Sequence, residues 1–131
     1  MTMRLLVVDD QSEVRDLVKM ILETEYPVAR EAANGMSALE AARQDPPDCI
    51  ILDVRMPGPL DGFEVCKAIK QDPQLRSIGV ILLTALATPE SRAAGHAVGA
   101  DGYLVKPFSF NALLDKVAEL QGLRPCDDGA R

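Results

Sequence analysis

Residues 49–53 read Cys-Ile-Ile-Leu-Asp, a short apolar run that ends in a carboxylate. Four other short apolar runs occur along the chain, and each of the five is followed by a stretch in which apolar residues have helical spacing. This alternation is typical of a parallel sheet wound by crossover helices. It predicts an α/β fold with strands over residues 5–9, 28–31, 49–53, 80–84 and 103–105.

The size and composition of the chain fit one globular domain. Its 131 residues are 47% hydrophobic and 26% charged, values that exclude a disordered chain, a collagen-like repeat and a coiled coil. The formal charge is −6, and the absence of a dense Lys/Arg run argues against a nucleic-acid-binding surface. We expect one domain over residues 1–120 and a polar tail or truncated linker over residues 121–131.

The cysteines and the histidine give no sign of a metal site. Cys49, Cys66 and Cys126 are odd in number and lack metal-ligand spacing, and His96 is the one histidine. We therefore interpret the cysteines as structural and His96 as an ordinary helix residue. No apolar stretch suits a signal peptide or a membrane span, so we expect a soluble, reduced and cytoplasmic protein without membrane contact.

The strongest helix prediction covers the stretch after the first strand. Its apolar residues follow i, i+3, i+4, i+7, i+8 spacing, and Ser12 is placed to cap the helix start. Those residues are Val14, Leu17, Val18, Ile21 and Leu22. The other helices are expected over 36–43, from 61 to 72, from 89 to 98 and from 109 onward. The fourth is rich in Ala and Gly, so we expect it to be the least firmly packed.

Two other helices have predicted inward faces. In the third helix these residues are Phe63, Cys66 and Ile69. In the fifth they are Phe110, Leu113, Leu114 and Val117. Each set repeats at the three- and four-residue spacing of one helix face.

Polar side chains follow four of the five predicted strands at their carboxyl ends, where open parallel sheets bind ligands. They are Asp9 and Asp10, Asp53, Thr84 and Lys106. Three converging carboxylates repel one another and need protonation, a cationic side chain or a divalent metal. Oxygen ligands suit Mg²⁺, and a lysine with a threonine hydroxyl could meet an anion. The set predicts a metal-assisted site for a phosphoryl group.

Each of these residues also has a simpler explanation when taken alone. Asp9 and Asp10 would suit a helix N-terminus, Thr84 is an ordinary strand residue, and a lone lysine is usually a solvated charge. Asp53 is harder to explain in this way, because a carboxylate directly after a buried strand needs a partner. Their joint placement at strand ends favours the site.

Four segments in order resemble the receiver domain of two-component response regulators. They are Leu5-Leu6-Val7-Val8-Asp9-Asp10, then Asp53-Val54-Arg55-Met56-Pro57 with Asp61-Gly62, then Leu82-Leu83-Thr84-Ala85, and Gly99-Ala100-Asp101-Gly102-Tyr103-Leu104-Val105-Lys106-Pro107-Phe108. The resemblance covers residues 4–120. It implies a single flavodoxin-like, doubly wound, five-stranded parallel sheet with strand order 2-1-3-4-5.

The resemblance also implies a chemistry. Asp53 is similar to the aspartate that accepts a phosphoryl group from a histidine kinase or a phosphotransfer protein. Asp10, Asp53 and the backbone carbonyl of Arg55 would hold Mg²⁺, with Asp9 supporting the ion through water. Such a domain assists its own phosphorylation and dephosphorylation and is not an enzyme acting on a separate substrate.

The same resemblance assigns a switch. Lys106 would pair with a phosphoryl oxygen, and its bond to Pro107 resembles one that is cis in receivers. Thr84 is similar to the hydroxyl residue that moves to the phosphoryl group, and Tyr103 to the aromatic that rotates inward behind it. We expect the surface of helix four, strand five and helix five to change and to bind a protein partner or a second copy as a homodimer.

One loop departs from the family pattern. Gly58, Pro59 and Leu60 stand between Pro57 and Asp61, where receivers usually have two residues. The departure affects loop geometry and partner contacts more than the chemistry, because Asp53 stays in place.

Three alternatives stay open at this point. An aspartate-nucleophile phosphohydrolase would carry Asp-x-Asp, but Arg55 and Gln11 stand two residues beyond Asp53 and Asp9. A flavin carrier would place a phosphate on the acidic loop after strand one, which repels it. The third alternative is that the chain is the receiver part of a longer regulator with a fused output domain.

Overall fold

The computed structural model describes residues 4–26, 29–56, 58–85 and 88–123. Five parallel strands within these ranges form one sheet in the order β2-β1-β3-β4-β5. The strands are β1 (Leu5–Val8), β2 (Ala29–Ala32), β3 (Cys49–Asp53), β4 (Gly79–Thr84) and β5 (Gly102–Val105). The helices are α1 (Ser12–Leu22), α2 (Gly35–Gln44), α3 (Gly62–Gln71), α4 (Pro89–Ala97) and α5 (Phe110–Leu123).

The sheet is covered on both faces, which confirms the predicted doubly wound architecture. Val8 pairs with Leu52 and Leu52 with Leu82, so the strand ends of β1, β3 and β4 are level. Alternate strand residues enter two separate cores, one beneath α2 and α3 and the other beneath α1 and α5. Both cores consist almost entirely of buried aliphatic side chains, which makes the sheet a firm platform for its carboxyl edge.

The strand predictions are confirmed to within a residue or two at their ends. The first strand stops at Val8, one residue before Asp9, and the second extends to Ala32. Val28, the expected first residue of the second strand, lies outside the described residues.

Side-chain caps begin four of the helices, among them α4, where Thr88 accepts from the backbone N–H of Ser91. Asn34 accepts from the backbone N–H of Ser37, and Asp61 forms a capping box with Glu64. Ser109 accepts from the backbone N–H of Ala112 at the start of α5. These short polar residues satisfy N–H groups that the first turn of a helix leaves unpaired.

Ser12 as the cap of α1 was a wrong prediction. The N-cap is Gln11, whose side chain makes no capping bond, and Ser12 is the first residue inside the helix. The backbone N–H of Gln11 instead donates to Asp9 Oδ1 at 2.9 Å. The carboxylate of Asp9 therefore orders this turn, a contact that helical spacing does not reveal.

Two predicted inward residues lie at the surface. Leu17 is 47% exposed on α1, and Phe110 is 46% exposed at the start of α5. The buried residues of α1 are Val18, Ile21 and Leu22, so the helix turns a narrower face to the sheet than its apolar residues suggested. Phe110 is the first residue of α5, and the first buried residue of that helix is Leu113.

Helix α4 is thinly packed, as its composition indicated. Of its nine residues, all of them described, Ser91 and Gly95 are the buried ones, and neither is a large apolar side chain.

The end of α5 lies beyond the expected domain boundary. The helix continues to Leu123, three residues past the predicted boundary at residue 120, and residues 124–131 lie outside the described ranges. No helix formed by the described residues has the length and apolar character needed to cross a membrane.

Candidate functional site

Three carboxylates meet at the carboxyl edge of the sheet. Asp9 and Asp10 directly follow β1, and Asp53 is the last residue of β3, the strand beside β1. One oxygen from each of the three carboxylates lies within 4.8 Å of the others. The predicted convergence of these side chains is therefore present in the structure.

The environment of these carboxylates favours a cation. Asp9 is 2% exposed and Asp53 is 5% exposed, whereas Asp10 lies at the surface. Carboxylates of like charge held this close, two of them buried, are costly without a positive partner. Because all the donor atoms are oxygens and one side of the cluster is open through Asp10, the residues suit a hard divalent ion such as Mg²⁺.

Lys106 supplies a positive charge on the inner side of the cluster. Its Nζ lies 2.9 Å from Asp53 Oδ1 and 3.3 Å from Asp9 Oδ2. Its backbone N–H donates to Thr84 O at 2.7 Å, which attaches the residue to the end of β4. The bond between Lys106 and Pro107 is cis, as the motif predicted.

Burial and charge shift two pKa values in this cluster. Burial raises the pKa of Asp53, the hydrogen bond from Lys106 opposes that shift, and the charges of Asp9 and Asp10 add to it. For Lys106, burial works against the charged form, but the bonds and charges of Asp53 and Asp9 outweigh it and raise the pKa. Lys106 is thus fully charged at neutral pH, whereas burial and the neighbouring carboxylates destabilise the ionised form of Asp53.

We expect Asp53→Asn to stabilise the folded protein at neutral pH in metal-free buffer. A carboxyl with a raised pKa binds its proton more tightly in the folded than in the unfolded state, so its ionised form lowers the free energy of unfolding. The gain should be about 0.5–2 kcal/mol, the range that is usual for single stabilising substitutions. It should fade as the pH falls through the folded-state pKa and vanish below about pH 3.9, where the carboxyl is neutral in both states.

Urea unfolding of the parent and the variant across this pH range, with chelator present, measures the difference. Asp16→Asn, which changes an exposed carboxylate on α1, serves as the control and should not be more stable than the parent at pH 7. A variant that is less stable than the parent at pH 7 would contradict the expected destabilisation of the parent by ionised Asp53.

Thr84 and Tyr103 lie on neighbouring strands. Thr84 is 1% exposed at the end of β4 and pairs with Val105, while Tyr103 pairs with Leu82. Since Leu82 and Thr84 are two residues apart, they point to the same face of the sheet. The hydroxyl of Tyr103 lies 2.5 Å from Ser91 Oγ of α4.

Arg55 and the lengthened loop lie beside the cluster. Arg55 is two residues beyond Asp53, and its side chain is exposed. Leu60 packs against the start of α2, where a Cβ on Gly35 would lie 2.8 Å from Leu60 Cβ. A cavity of about 480 Å³ opens at this junction, lined by loop residues and by the first turn of α2.

Two residues that support the site were not predicted. Arg15 Nη1 donates to the backbone oxygen of Asp9 at 2.7 Å, and its Nε donates to Glu31 at 2.7 Å. Arg15 and Lys19 together hold the pKa of Glu31 below its usual range. The helical position of Arg15 is visible in the sequence, but a bond to a backbone oxygen leaves no pattern in residue types.

Gly62 is the second of these residues. A Cβ at this position would lie 2.4 Å from the backbone oxygen of Asp53 and 2.7 Å from Val54 Cα. The backbone N–H of Gly62 also donates to Val54 O at 2.8 Å. The start of α3 therefore lies directly against the end of β3, which only a residue without a side chain allows.

Comparisons with known proteins agree with this geometry. The family model for the response regulator receiver domain matches residues 5–118. The response regulator PleD of Caulobacter vibrioides is 44% identical over 121 residues, which is 92% of this chain and 26% of PleD. The response regulator MprA of Mycolicibacterium vanbaalenii is 40% identical over 134 residues, 99% of this chain and 55% of MprA.

Solved structures show the same fold. A putative response regulator from Chloroflexus aurantiacus has a TM-score of 0.86 and 34% identity, and the match covers 92% of this chain and 98% of that one. The chemotaxis protein CheY4 of Vibrio cholerae has a TM-score of 0.84 and 36% identity over 92% of this chain and 99% of its own. The chain thus spans a whole solved domain but about a quarter to about half of the curated relatives.

Proposed function

The chain belongs to the response regulator receiver domain family, and from this premise we propose that it is a phosphorylation-activated signalling switch with Asp53 as the phosphoacceptor. The donor would be a histidine kinase or a phosphotransfer protein. The observation that carries the proposal is the position of Asp53, buried at the end of the middle strand with Lys106 Nζ 2.9 Å from its carboxylate.

The proposed step is the transfer of one phosphoryl group. An oxygen of the Asp53 carboxylate forms a bond to phosphorus while the P–N bond of the donor's phosphohistidine breaks, and the electron pair of that bond stays on the imidazole nitrogen. Lys106 is close enough to exchange its bond with Asp53 for one with a phosphoryl oxygen. The buried Thr84 would donate its hydroxyl to a second phosphoryl oxygen.

The acidic cluster fits Mg²⁺ by its oxygen donors and its charge. Asp10, Asp53 and the backbone carbonyl of Arg55 would hold the ion, with Asp9 acting through water. When bound, Mg²⁺ neutralises the charge spread over the transferring phosphoryl oxygens. The same residues would serve dephosphorylation, so that the domain assists both reactions on itself.

The proposed output is a change of the surface made by α4, β5 and α5. Movement of the Thr84 hydroxyl toward the phosphoryl group would let Tyr103 turn inward behind it, on the neighbouring strand. That surface would then bind a downstream protein or a second copy of the chain as a homodimer. We place this activity in the cytoplasm, where histidine kinases present their phosphohistidine.

One relative has a name that states an output. The similar Synechocystis protein RpaA is described as a DNA-binding dual master transcriptional regulator. This chain would act either through a separate partner or as the receiver of a longer regulator with a fused output domain.

Intact-mass spectrometry tests the phosphoryl chemistry directly. After incubation with acetyl phosphate and Mg²⁺, we expect one phosphoryl adduct per chain, and with excess chelator we expect none. A phosphohistidine-bearing kinase domain should give the same adduct. An adduct that forms equally well with chelator, or no adduct under any condition, would contradict the proposal.

A further inference from the structure

The two buried residues of helix α4 are both small. Ser91 and Gly95 are its buried positions, and they lie four residues apart on one face of the helix. The other seven residues of α4 are exposed or half-buried. Because most helices are held by large apolar side chains, a helix with such a face depends on whatever fills the space opposite it.

Tyr103 fills that space. Its hydroxyl is hydrogen bonded to Ser91 Oγ, and a Cβ on Gly95 would lie 3.1 Å from its ring atom Cδ2. The guanidinium of Arg92 lies over the ring, 5.1 Å from its centre. Both buried residues of α4 therefore meet the same aromatic side chain, and Arg92 covers it from the solvent side.

We propose that Ser91, Arg92 and Gly95 form a seat on α4 that holds Tyr103 in the position seen here. The hydroxyl of Ser91 fixes the end of the side chain, the missing side chain of Gly95 makes room for the ring, and Arg92 adds a cation–π contact. The inference rests on the proposed function in one respect, namely that Tyr103 is the residue that turns inward.

The seat lets α4 shift the equilibrium between the two positions of the Tyr103 side chain. Contacts made only in the seated position stabilise that position, and phosphorylation must overcome them before the ring can leave. A hydrogen bond of ordinary net strength changes such a two-state population about fivefold. Loss of the Ser91 hydroxyl should therefore raise the unseated fraction about fivefold, also in the unphosphorylated protein.

The coupling also works in the other direction. Since Tyr103 contacts both buried residues of α4, its departure removes a contact from each of them. We expect α4 to lose protection against amide exchange whenever the ring is unseated. The side chain of Tyr103 thus couples β5 to the whole of α4.

The tyrosine content of the chain allows a direct optical test. The chain has two tyrosines and no tryptophan, so a Tyr26→Phe background leaves Tyr103 as the sole source of tyrosine fluorescence. Tyr26 is 9% exposed and lies in the other core, beneath α1 and α5, away from the seat. Quenching by succinimide, a neutral molecule, then reports how accessible the ring of Tyr103 is without adding charge near Arg92.

In this background, Ser91→Ala should lower the quenching constant in the absence of any phosphoryl donor, because more of the rings are turned inward. Gly95→Ala should act in the same direction through a different cause, since its methyl group would crowd the ring while Ala favours the helix. Agreement of the two variants excludes simple unfolding of α4. An unchanged or raised quenching constant in Ser91→Ala overturns the seat.

Ser37→Ala provides a matched control. Ser37 is the third residue of α2, as Ser91 is of α4, and its backbone N–H is capped by Asn34 in the way that Thr88 caps Ser91. Its side chain is exposed, so the control should leave the quenching of Tyr103 at the parent value.

A second arm separates this inference from the proposed function. With acetyl phosphate and Mg²⁺, Ser91→Ala should reach half-maximal phosphorylation at about fivefold lower donor concentration than the parent. If the parent takes up a phosphoryl group but the variant matches it in both arms, the seat is wrong and the proposed function stands. If the parent takes up none, the proposed function fails, and the quenching arm alone decides whether Ser91 holds Tyr103.

Discussion

The Asp53→Asn protein is expected to take up no phosphoryl group from acetyl phosphate at any Mg²⁺ concentration. An amide oxygen is not a useful nucleophile toward phosphorus, and the change also removes one of the three negative charges that would attract the ion. Intact-mass spectrometry under conditions that fully phosphorylate the parent measures the loss. We expect it to be complete, because Asp53 makes the shorter contact with Lys106, at 2.9 Å compared with 3.3 Å for Asp9.

The controls for this prediction lie within the same protein. Asp16→Asn changes an exposed carboxylate on α1 and should be phosphorylated like the parent. The unfolding measurement of Asp53→Asn, in which a gain in stability is expected at neutral pH, checks separately that the variant is folded. Retention of a full adduct by Asp53→Asn would move the acceptor to another residue, with Asp9 and Asp10 the first to be examined.

Replacement of Lys106 by methionine is expected to have two opposite effects. The initial rate of phosphorylation should fall about 100-fold or more, the usual result of removing one donor that stabilises charge in a transition state. The affinity for Mg²⁺ should instead rise about tenfold, since an ammonium group 2.9 Å from Asp53 no longer competes with the ion for the carboxylates. General damage to the site would lower both quantities together.

Calorimetric titration with Mg²⁺ and the time course of adduct formation measure these two effects. Calorimetry is the suitable method for binding because the chain lacks tryptophan. Lys67→Met, which removes an exposed charge on α3, is the matched control and should change neither quantity. A thermal melt with Mg²⁺ present checks that Lys106→Met is folded. If phosphorylation proceeds at the parent rate, Lys106 has no part in the reaction.

The alternation of apolar runs and helical stretches was enough to predict the elements of the fold. It placed all five strands and five helices, because the side-chain periods of strands and helices differ and each element buries one face or both. The order of the strands in the sheet did not follow from periodicity. It followed from the resemblance of four segments to a known family, since spacing along a chain does not state which strands pair.

The wrong or missing predictions concern burial and contacts that depend on neighbouring elements as well as on the helix or strand itself. Leu17 and Phe110 have the spacing of inward residues, but burial requires a neighbouring element at that height, and none of the described elements covers them there. Lys106 and Asp9 are 97 residues apart in the sequence. Their contact could still be foreseen, because each residue directly follows a strand. The bond between Ser91 and Tyr103 was not foreseeable, because a serine in the first turn of a helix suggests only local capping.

Asp53, the proposed acceptor, and Tyr103, the proposed switch residue, lie on strands with different numbers of neighbours in the sheet. β3 has a hydrogen-bonded neighbour on each side, whereas β5 has one, at the edge. A strand bonded on both sides can shift only if two ladders break, whereas the edge strand β5 can shift when one ladder breaks. We therefore expect that the segment from α4 to β5 can be exchanged for that of a relative without moving Asp53, so that this surface changes while the proposed acceptor keeps its place.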